Sequence, residues 1–507
     1  MRLATLVLAL LLSPASRAQA GAPDPSFGVD GVVRLAPGPL RTLQDVLVQS
    51  NGRILATGTL DGDVVVYRFT AEGAPDAAFG DAGRVQIDLG ESEVGTAIVQ
   101  RDDGRLVVSV VSNGGGGGGA LLGLAEDGDA DAAFGTDGVL AGAVGWADLA
   151  LDAASRIVAL GRDEAVPEEA PVVVARFGPD GESDAAFGTG GSTRFLEGES
   201  SSPTQLALAP DGGIGVAGAL LGSGFEASPF AARLDAQGGL DASFGTGGLV
   251  RPGTTFPVEA YIGIDFDAQG RLVTAGYAID FATGTSQATA TRFTLDGALD
   301  ATFGTGGTLL LATGEALAQA ASVLVQPDGE ILVGGVAGEA EDAGVLTARL
   351  LPDGSLDPDF GAGGVSVLPS APGEVEVGTS LALAPDGAIV LAGARLTNGV
   401  GDRALVARLL NDIVVADEAR PASPALALAH AGANPSRDGR VRLALGAAEA
   451  VRLAVHDVRG RLVTVLHDGA LGAGEHAFAL GAVAPGVYLV RATSARAVAA
   501  LPVAVAR

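Results

Sequence analysis

Hydrophobic residues along this chain come in short runs broken by turns rich in glycine, asparagine and aspartate. Val32-Val33-Arg34-Leu35, Val46-Leu47-Val48-Gln49, Ile54-Leu55-Ala56-Thr57-Gly58 and Val65-Val66-Tyr67-Arg68-Phe69 follow one another in this way. Runs of that length, rich in β-branched residues and bounded by turn residues, predict β-strands. Asn51-Gly52 between the second and third runs is a hairpin signal, because both residues tolerate positive φ. The quartet then recurs, each copy introduced by Asp-x-x-Phe-Gly with a further glycine four residues past the phenylalanine. The phenylalanines are Phe27, Phe79, Phe134, Phe187, Phe244, Phe303 and Phe360, at intervals from 52 residues (27 to 79) to 59 (244 to 303). The hairpin turn recurs at Asp103-Gly104-Arg105, Asp211-Gly212, Gln269-Gly270, Asp328-Gly329 and Asp386-Gly387, and the third copy departs with Ala154-Ser155-Arg156.

This pattern predicts an all-β fold, a seven-bladed β-propeller of four-stranded repeats over residues 21–410, in which radial stacking buries both faces of each small sheet. A stacked solenoid is the alternative, but it needs polar terminal caps and the array has none.

Charged positions inside the apolar runs obey a second rule. The fourth run carries an arginine eight residues before the next turn aspartate: Arg68/Asp76, Arg176/Asp184, Arg233/Asp241, Arg292/Asp300 and Arg349/Asp357. An arginine in an apolar strand needs a partner, since an unpaired buried charge is costly. Each pair is therefore expected to form across a blade junction. Asp24 and Arg408 are left over at the two ends, and ring closure would join them. Asp131 is the exception, with Gly123 at the arginine position.

A four-stranded meander puts alternate connections on opposite faces. One face carries the repeated Asx-Gly and Asp-x-x-Phe-Gly turns, and the other carries loops of varied length: 112–119, 162–171, 220–229, 277–287 and 337–344. Function concentrates on variable loops held by a rigid scaffold. Phe225, Tyr277 and Phe281, with the acidic Glu164, Glu168 and Glu169, are the expected contact residues there.

Composition sharpens this reading. The formal charge is −29 and there is no lysine or cysteine. Such a surface repels nucleic acid and anionic membranes, so neither is an expected partner. Disulfides, thiol catalysis and Cys-based zinc sites are excluded. All four histidines, His430, His456, His467 and His476, lie beyond the repeats. The repeat region thus lacks the usual bases, covalent nucleophiles and zinc ligands, leaving only carboxylate chemistry. The glycine run 114–119 cannot act as a phosphate loop without a lysine. Asp127-x-Asp129-x-Asp131 spaces oxygens like the opening of a calcium loop but lacks its distal glutamate, so calcium is the one ion considered and no other cofactor or metal is expected.

Residues 1–20 read as a secretory signal, with Arg2, an apolar run from Leu3 to Leu12 and the small-x-small ending Ala18-Gln19-Ala20, predicting cleavage near Ala20. No later stretch reaches the ~18 uncharged apolar residues of a membrane helix.

The seven copies resemble the delta-60 repeat family of secreted bacterial proteins, whose leucine-led core runs intact from Leu240 to Gly248 and from Leu299 to Gly307. That resemblance implies a repeat scaffold and brings no catalytic residue.

After residue 410 the repeat stops. Residues 411–424, with Arg420-Pro421-Ala422-Ser423-Pro424, read as a linker. Residues 425–507 carry nine arginines against five acids, about +4 beside about −33 for the remainder, which marks a real boundary. Their runs, 440–445, 451–456, 462–466, 476–480, 487–492 and 498–505, predict a small Ig-like β-sandwich. Asn434-Pro435, the stretch from Val455 to Val463 with Asp457 and Gly460, Gly474-Glu475-His476, and Gly486-Val487-Tyr488 resemble the C-terminal sorting domain of type IX secretion cargo. They are also similar to the Ig-like domain of flagellar hook-capping proteins. The first resemblance implies outer-membrane secretion machinery as a partner of residues 425–507, and a secreted or cell-surface protein.

The expected function is a non-catalytic propeller scaffold or binding protein, not an enzyme, with a protein or glycan ligand. The alternatives are a carboxylate-dependent polysaccharide-active enzyme and a calcium-stabilised adhesin.

Overall fold

The quartets pair as antiparallel meanders in the computed structural model. It describes residues 19–412 and 426–505, apart from 39–40, 114–117, 166–169, 223–225, 312, 314, 340, 398–399, 431–439, 446–448, 458–461, 472–473, 481–482, 484–485 and 495–497. Two units separate at Ile413 and Val414. No α-helix occurs among the described residues.

The first unit is a β-propeller. Blade one runs outward through Arg41–Val48, Ile54–Leu60, Asp63–Phe69 and Arg84–Ile87. Blades two to six start from the inner strands Glu93–Gln100, Val144–Leu151, Ser201–Leu208, Val258–Phe266 and Leu317–Val325. Blade seven joins both ends of the unit: Val375–Leu383, Ile389–Thr397 and Val400–Leu409 take Val32–Arg34 as outer strand, with Val33 opposite Val406. Each inner strand packs on the next and the seventh packs on the first, which closes the ring.

Blades and sequence repeats are therefore out of phase by one strand. The run after each Asp-x-x-Phe-Gly turn completes the blade before it, because a turn this tight returns the chain antiparallel to the strand it has just left.

The hairpins toward the variable face are longer than the sequence suggests. Strands extend to Glu339 and restart at Asp342, which pair directly, and Tyr277–Asp280 and Thr285–Gln287 are strand, not loop.

The turn itself is built from buried parts. Phe27, Phe79, Phe134, Phe187, Phe244, Phe303 and Phe360 are all buried. Phe27 lies among Leu43, Ile54 and Phe69 of blade one and Val390 and Val406 of blade seven, filling the junction. Gly28 has φ 55°, and a Cβ there would come within 2.6 Å of the Val32 carbonyl, so this position requires glycine.

The Arg–Asp pairs sit as follows. Arg68 Nε is 2.7 Å from Asp76 Oδ2, Arg176 Nε 2.8 Å from Asp184, Arg292 Nε 2.8 Å from Asp300, Arg349 Nε 2.6 Å from Asp357 and Arg408 Nε 3.0 Å from Asp24. Arg233 is looser, 3.4 Å from Asp241, and its other end reaches Asp211 at 2.5 Å. Each pair lies within one blade, a correction to the expected bridge across the junction, because both members flank the same turn. The junction is crossed by the other end of the guanidinium: Arg176 Nη1 donates to the Ala236 carbonyl (2.7 Å) and Arg408 Nη1 to that of Ala71 (3.0 Å). In blade two, Phe134 fills the space of the missing arginine, 2.4 Å from where a Gly123 Cβ would lie, and Arg105 takes Asp131 at 2.9 Å.

A backbone relay runs round the ring beside these pairs. Gly28 N–H donates to the Glu72 carbonyl, Gly80 to Asp127, Gly135 to Asp180, Gly188 to Gln237, Gly245 to Asp296 and Gly304 to Asp353. Gly361 donates to Ala20 at 2.8 Å, and Ala20 is buried. The expected cleavage point thus falls inside the closing turn, and a chain beginning at Gly21 would lack this acceptor.

In the second unit, Leu426–His430, Arg440–Leu445 and Gly474–Ala479 form one sheet. Leu462–Leu471, Glu449–Asp457, Gly486–Ser494 and Val498–Val505 form the other. Val441, Leu443, Leu453, Val455, Val490 and Val503 meet in one core, making a β-sandwich. Among the sorting-motif residues, Asp457 ends a strand, Gly486 begins one and Tyr488 is half-buried, while Asn434, Pro435 and Gly460 lie outside the described residues.

Burial works to raise the Asp300 carboxyl, but the Thr302 hydroxyl and N–H and the Arg292 guanidinium outweigh it and hold it at about 2. The stability it supplies is complete above the ordinary carboxylate range and is lost as pH falls toward 2. Asp300→Ala leaves Arg292 buried without its partner and is expected to cost about 3 kcal/mol in chemical denaturation at neutral pH. Glu199→Ala, which breaks an exposed pair with Arg251, is expected to cost less than about 1 kcal/mol.

Candidate functional site in the central channel

Every inner strand carries a one-residue bulge at the same register, between Leu43 and Asp45 in blade one and between Trp146 and Asp148 in blade three. The other five blades repeat it. A bulge unpairs backbone groups and re-aims side chains. The seven bulged residues, Gln44, Thr96, Ala147, Thr204, Ile262, Ala321 and Thr379, all line one cavity of about 290 Å³, together with Asp45, Asp148, Gln205 and Ser380. The cavity is therefore the mouth of the propeller's central channel.

Side chains at the bulge stitch neighbouring blades. Asp45 Oδ2 accepts from Ile98 N–H (2.9 Å), Asp148 Oδ2 from Leu206 N–H (2.8 Å) and Gln205 Oε1 from Ile264 N–H (2.8 Å). Asp265 Oδ2 accepts from Val325 N–H (2.7 Å). In the other direction the hydroxyls of Thr96, Thr204 and Thr379 donate to the carbonyls of Trp146 (2.6 Å), Tyr261 (3.0 Å) and Leu43 (2.9 Å).

Two of these acids share the cavity in unequal settings. Burial pushes the Asp148 carboxyl up to about 8 against the pull of two N–H donors, and the nearby charge of Asp45 adds to the rise. Asp45 is also raised by burial, but it has three donors: the Ser380 hydroxyl at 2.7 Å and the N–H groups of Ile98 and Val46. Both carboxyls are therefore raised, Asp148 to about 8, and Asp45 has the additional hydroxyl donor that works against the rise. Environments that push two neighbouring acids apart produce a proton donor and a base. Asp265, raised by burial to about 6, lies outside this cavity.

A second cavity of about 570 Å³ opens on the side of blade five. Tyr261, Thr289, Thr291 and Thr308 line it, where blade six carries Ala320, Leu346, Ala348 and Val365 at the matching registers. Burial raises the Tyr261 hydroxyl, which is hydrogen-bonded to Thr291 and Thr274.

Tyr277 lines this second cavity. Phe281 is 57% exposed at the tip of its hairpin. Glu164 is held by Arg162 through two bonds of 3.1 Å. Phe225, Glu168 and Glu169 lie outside the described residues. The structure does not gather these residues into one site. Asp45 and Asp148 escaped the sequence reading; the available signal was a lone aspartate in an apolar run, as in Trp146-Ala147-Asp148-Leu149-Ala150-Leu151.

Fold and channel together define a β-propeller with paired acids at its axis. The family model described as a domain of unknown function (DUF5122) beta-propeller matches residues 49–79 and 326–360. None of the curated proteins matches the sequence. Similar solved structures include a PL25 ulvan lyase bound to -[GlcA(1-4)Rha3S]-, 12% identical with TM-score 0.45, covering 75% of this chain and 96% of that one. Another is the polysaccharide lyase Uly1, at 12%, 0.43, 74% and 91%. A third is the alpha-L-arabinanase of Penicillium chrysogenum complexed with arabinobiose, at 11%, 0.38, 74% and 98%. At such identities the likeness concerns the fold alone.

The expectation of a non-catalytic scaffold, and of no enzyme, is corrected at this point. Polysaccharide lyases and an arabinanase are among the solved propellers similar to the chain. The absence of His, Cys and Lys from the repeats had no bearing on two acids converging from blades one and three.

Because the Asp148 carboxyl is raised in the folded state, its contribution to stability is complete below the ordinary carboxylate range and is lost as pH rises toward 8. Asp148→Asn is expected to raise the melting temperature most at pH 9, less at pH 5, and to leave it nearly unchanged only near pH 3. Thermal denaturation across that range checks the sign.

Proposed function

We propose that the propeller is a carboxylate-dependent polysaccharide-active enzyme, with Asp148 as proton donor to the glycosidic oxygen and Asp45 as the ionised partner that activates water. One observation carries this reading: Asp148 and Asp45 line the same cavity, and burial with the Asp45 charge keeps Asp148 protonated at neutral pH. A donor and a base in one cleft are what glycoside hydrolysis requires. The cavity, about 290 Å³, has room for roughly one sugar ring. A chain of net charge −29 repels polyanions, which favours a neutral glycan as substrate.

Release of reducing ends from a panel of neutral and acidic polysaccharides tests the reading. Cleavage of a neutral glycan without an unsaturated, ultraviolet-absorbing product is expected, falling about 10²–10⁴-fold in Asp148→Asn and Asp45→Asn. Activity that survives in both variants, or its absence on every glycan, would sink the assignment.

We further infer that residues 425–507 address the protein to outer-membrane secretion machinery, and that it acts outside the cell. The support is the motif set around Asp457, Gly460, Gly486 and Tyr488, the leader-like residues 1–20 and the delta-60 likeness of the repeats. Deleting residues 425–507 is expected to leave the propeller inside the cell envelope; its undiminished appearance in the medium would refute the export role.

A further inference from the structure

The inner strand of blade two begins with Glu93, which is 1% exposed. Its Oε1 accepts from Glu91 N–H at 2.6 Å, and its Oε2 is buried with no hydrogen-bond partner among the described residues. A buried carboxylate oxygen without a partner is costly unless something neutralises it.

Blade seven shows how the same position is normally served. Glu376 occupies it, also 1% exposed, and Arg34 of the outer strand grips both its oxygens at 2.7 Å. Following the registers across blade two, from Gly95 through Val110 and Ala120, puts Ala141 where blade seven has Arg34. Glu93 has therefore lost the arginine.

What faces it instead is more negative charge. Asp63, which opens the third strand of blade one, and Asp88, which follows that blade's outer strand, each bring an oxygen into a set with Glu93 whose members all lie within 4.8 Å of one another. Both aspartates are also held by hydrogen bonds: Gln86 Nε2 donates to Asp63 Oδ2 (2.7 Å) and Gly90 N–H to Asp88 Oδ1 (2.7 Å). Among the described residues no arginine or histidine forms an ion pair with any of the three.

We propose that Asp63, Asp88 and Glu93 form a calcium site that joins blades one and two. Three hard oxygen donors suit calcium or magnesium, and not a thiolate- or imidazole-seeking metal. Calcium takes carboxylates in a flexible geometry at about 2.3–2.6 Å, whereas magnesium demands a near-ideal octahedron and keeps several waters, so three protein carboxylates suit calcium better. The ion supplies the positive charge that Arg34 supplies in blade seven. It also pins the start of one strand, the end of another and the crossing between blades on the variable face. The turn at Asp127, Asp129 and Asp131 is a different place, and its Asp131 is already held by Arg105.

Terbium luminescence and thermal melting of the full chain, with calcium or with chelator, test the proposal. Calcium is expected to raise the melting temperature by on the order of 5 °C, and terbium to bind at one site from which calcium displaces it more readily than magnesium does. Asp88→Asn, on the surface, is expected to weaken calcium affinity about tenfold or more through the lost charge. Glu93→Gln is expected to melt higher than the parent in chelator, since a buried charge is gone, and to ignore calcium. No calcium-dependent shift in the parent, or a shift retained in both variants, overturns the site. Neither result bears on glycan cleavage, which is assayed separately.

Discussion

Everything in the propeller hangs on closing a ring of sheets that are each too small to bury their own faces. The turn phenylalanine of every copy lies in the seam between two blades, and the N–H of the glycine beside it reaches a carbonyl of the following copy. The last bond of this relay, Gly361 to Ala20, and the last sheet pairing, Val33 opposite Val406, are made by residues from opposite ends of the unit. Arg176 ties down its own turn aspartate with one end and donates to the next copy with the other, which makes that junction directional. Buried charge is tolerated at the turns because Arg68, Arg176, Arg292, Arg349 and Arg408 each lie against a carboxylate.

At the axis the same constraint takes a polar form. Seven inner strands converge where large side chains cannot fit, and each bulges by one residue, leaving backbone groups that need partners. Aspartate, glutamine and threonine supply them from the neighbouring blade. The confined surroundings in which these bonds are made also raise the Asp148 carboxyl to about 8. Structural and chemical roles are thus carried by the same carboxyl, which is why its ionisation opposes stability while its proton is available for transfer.

Differences between otherwise equal copies mark where the ring departs from pure scaffold. Blade five replaces apolar seam residues with Tyr261, Thr289, Thr291 and Thr308 and opens a cavity. Blade two lacks the arginine that neutralises the first glutamate of blade seven, and carboxylates gather at that point. In a repeat protein the register supplies an internal control, so a substitution at one copy can be judged against the other six.

The propeller's strands and turn chemistry were legible in the sequence because they depend on local spacing: Asn51-Gly52, the seven Asp-x-x-Phe-Gly turns and the eight-residue offset from Arg68 to Asp76 are all short-range patterns, whereas the strand Leu426–His430 of the second unit was not among the expected runs. The shift of one strand between repeat and blade was hidden, since it depends on how the two ends meet. So was the channel pair. Asp45 and Asp148 are more than a hundred positions apart, in different copies, and only the closure of the ring aims both bulges at one cavity. The sequence by itself determined the repeat, its turns and which charges must be paired, because those are set within one copy. The tertiary structure alone decided which acids share one cavity, because that is set by the curvature of the whole ring.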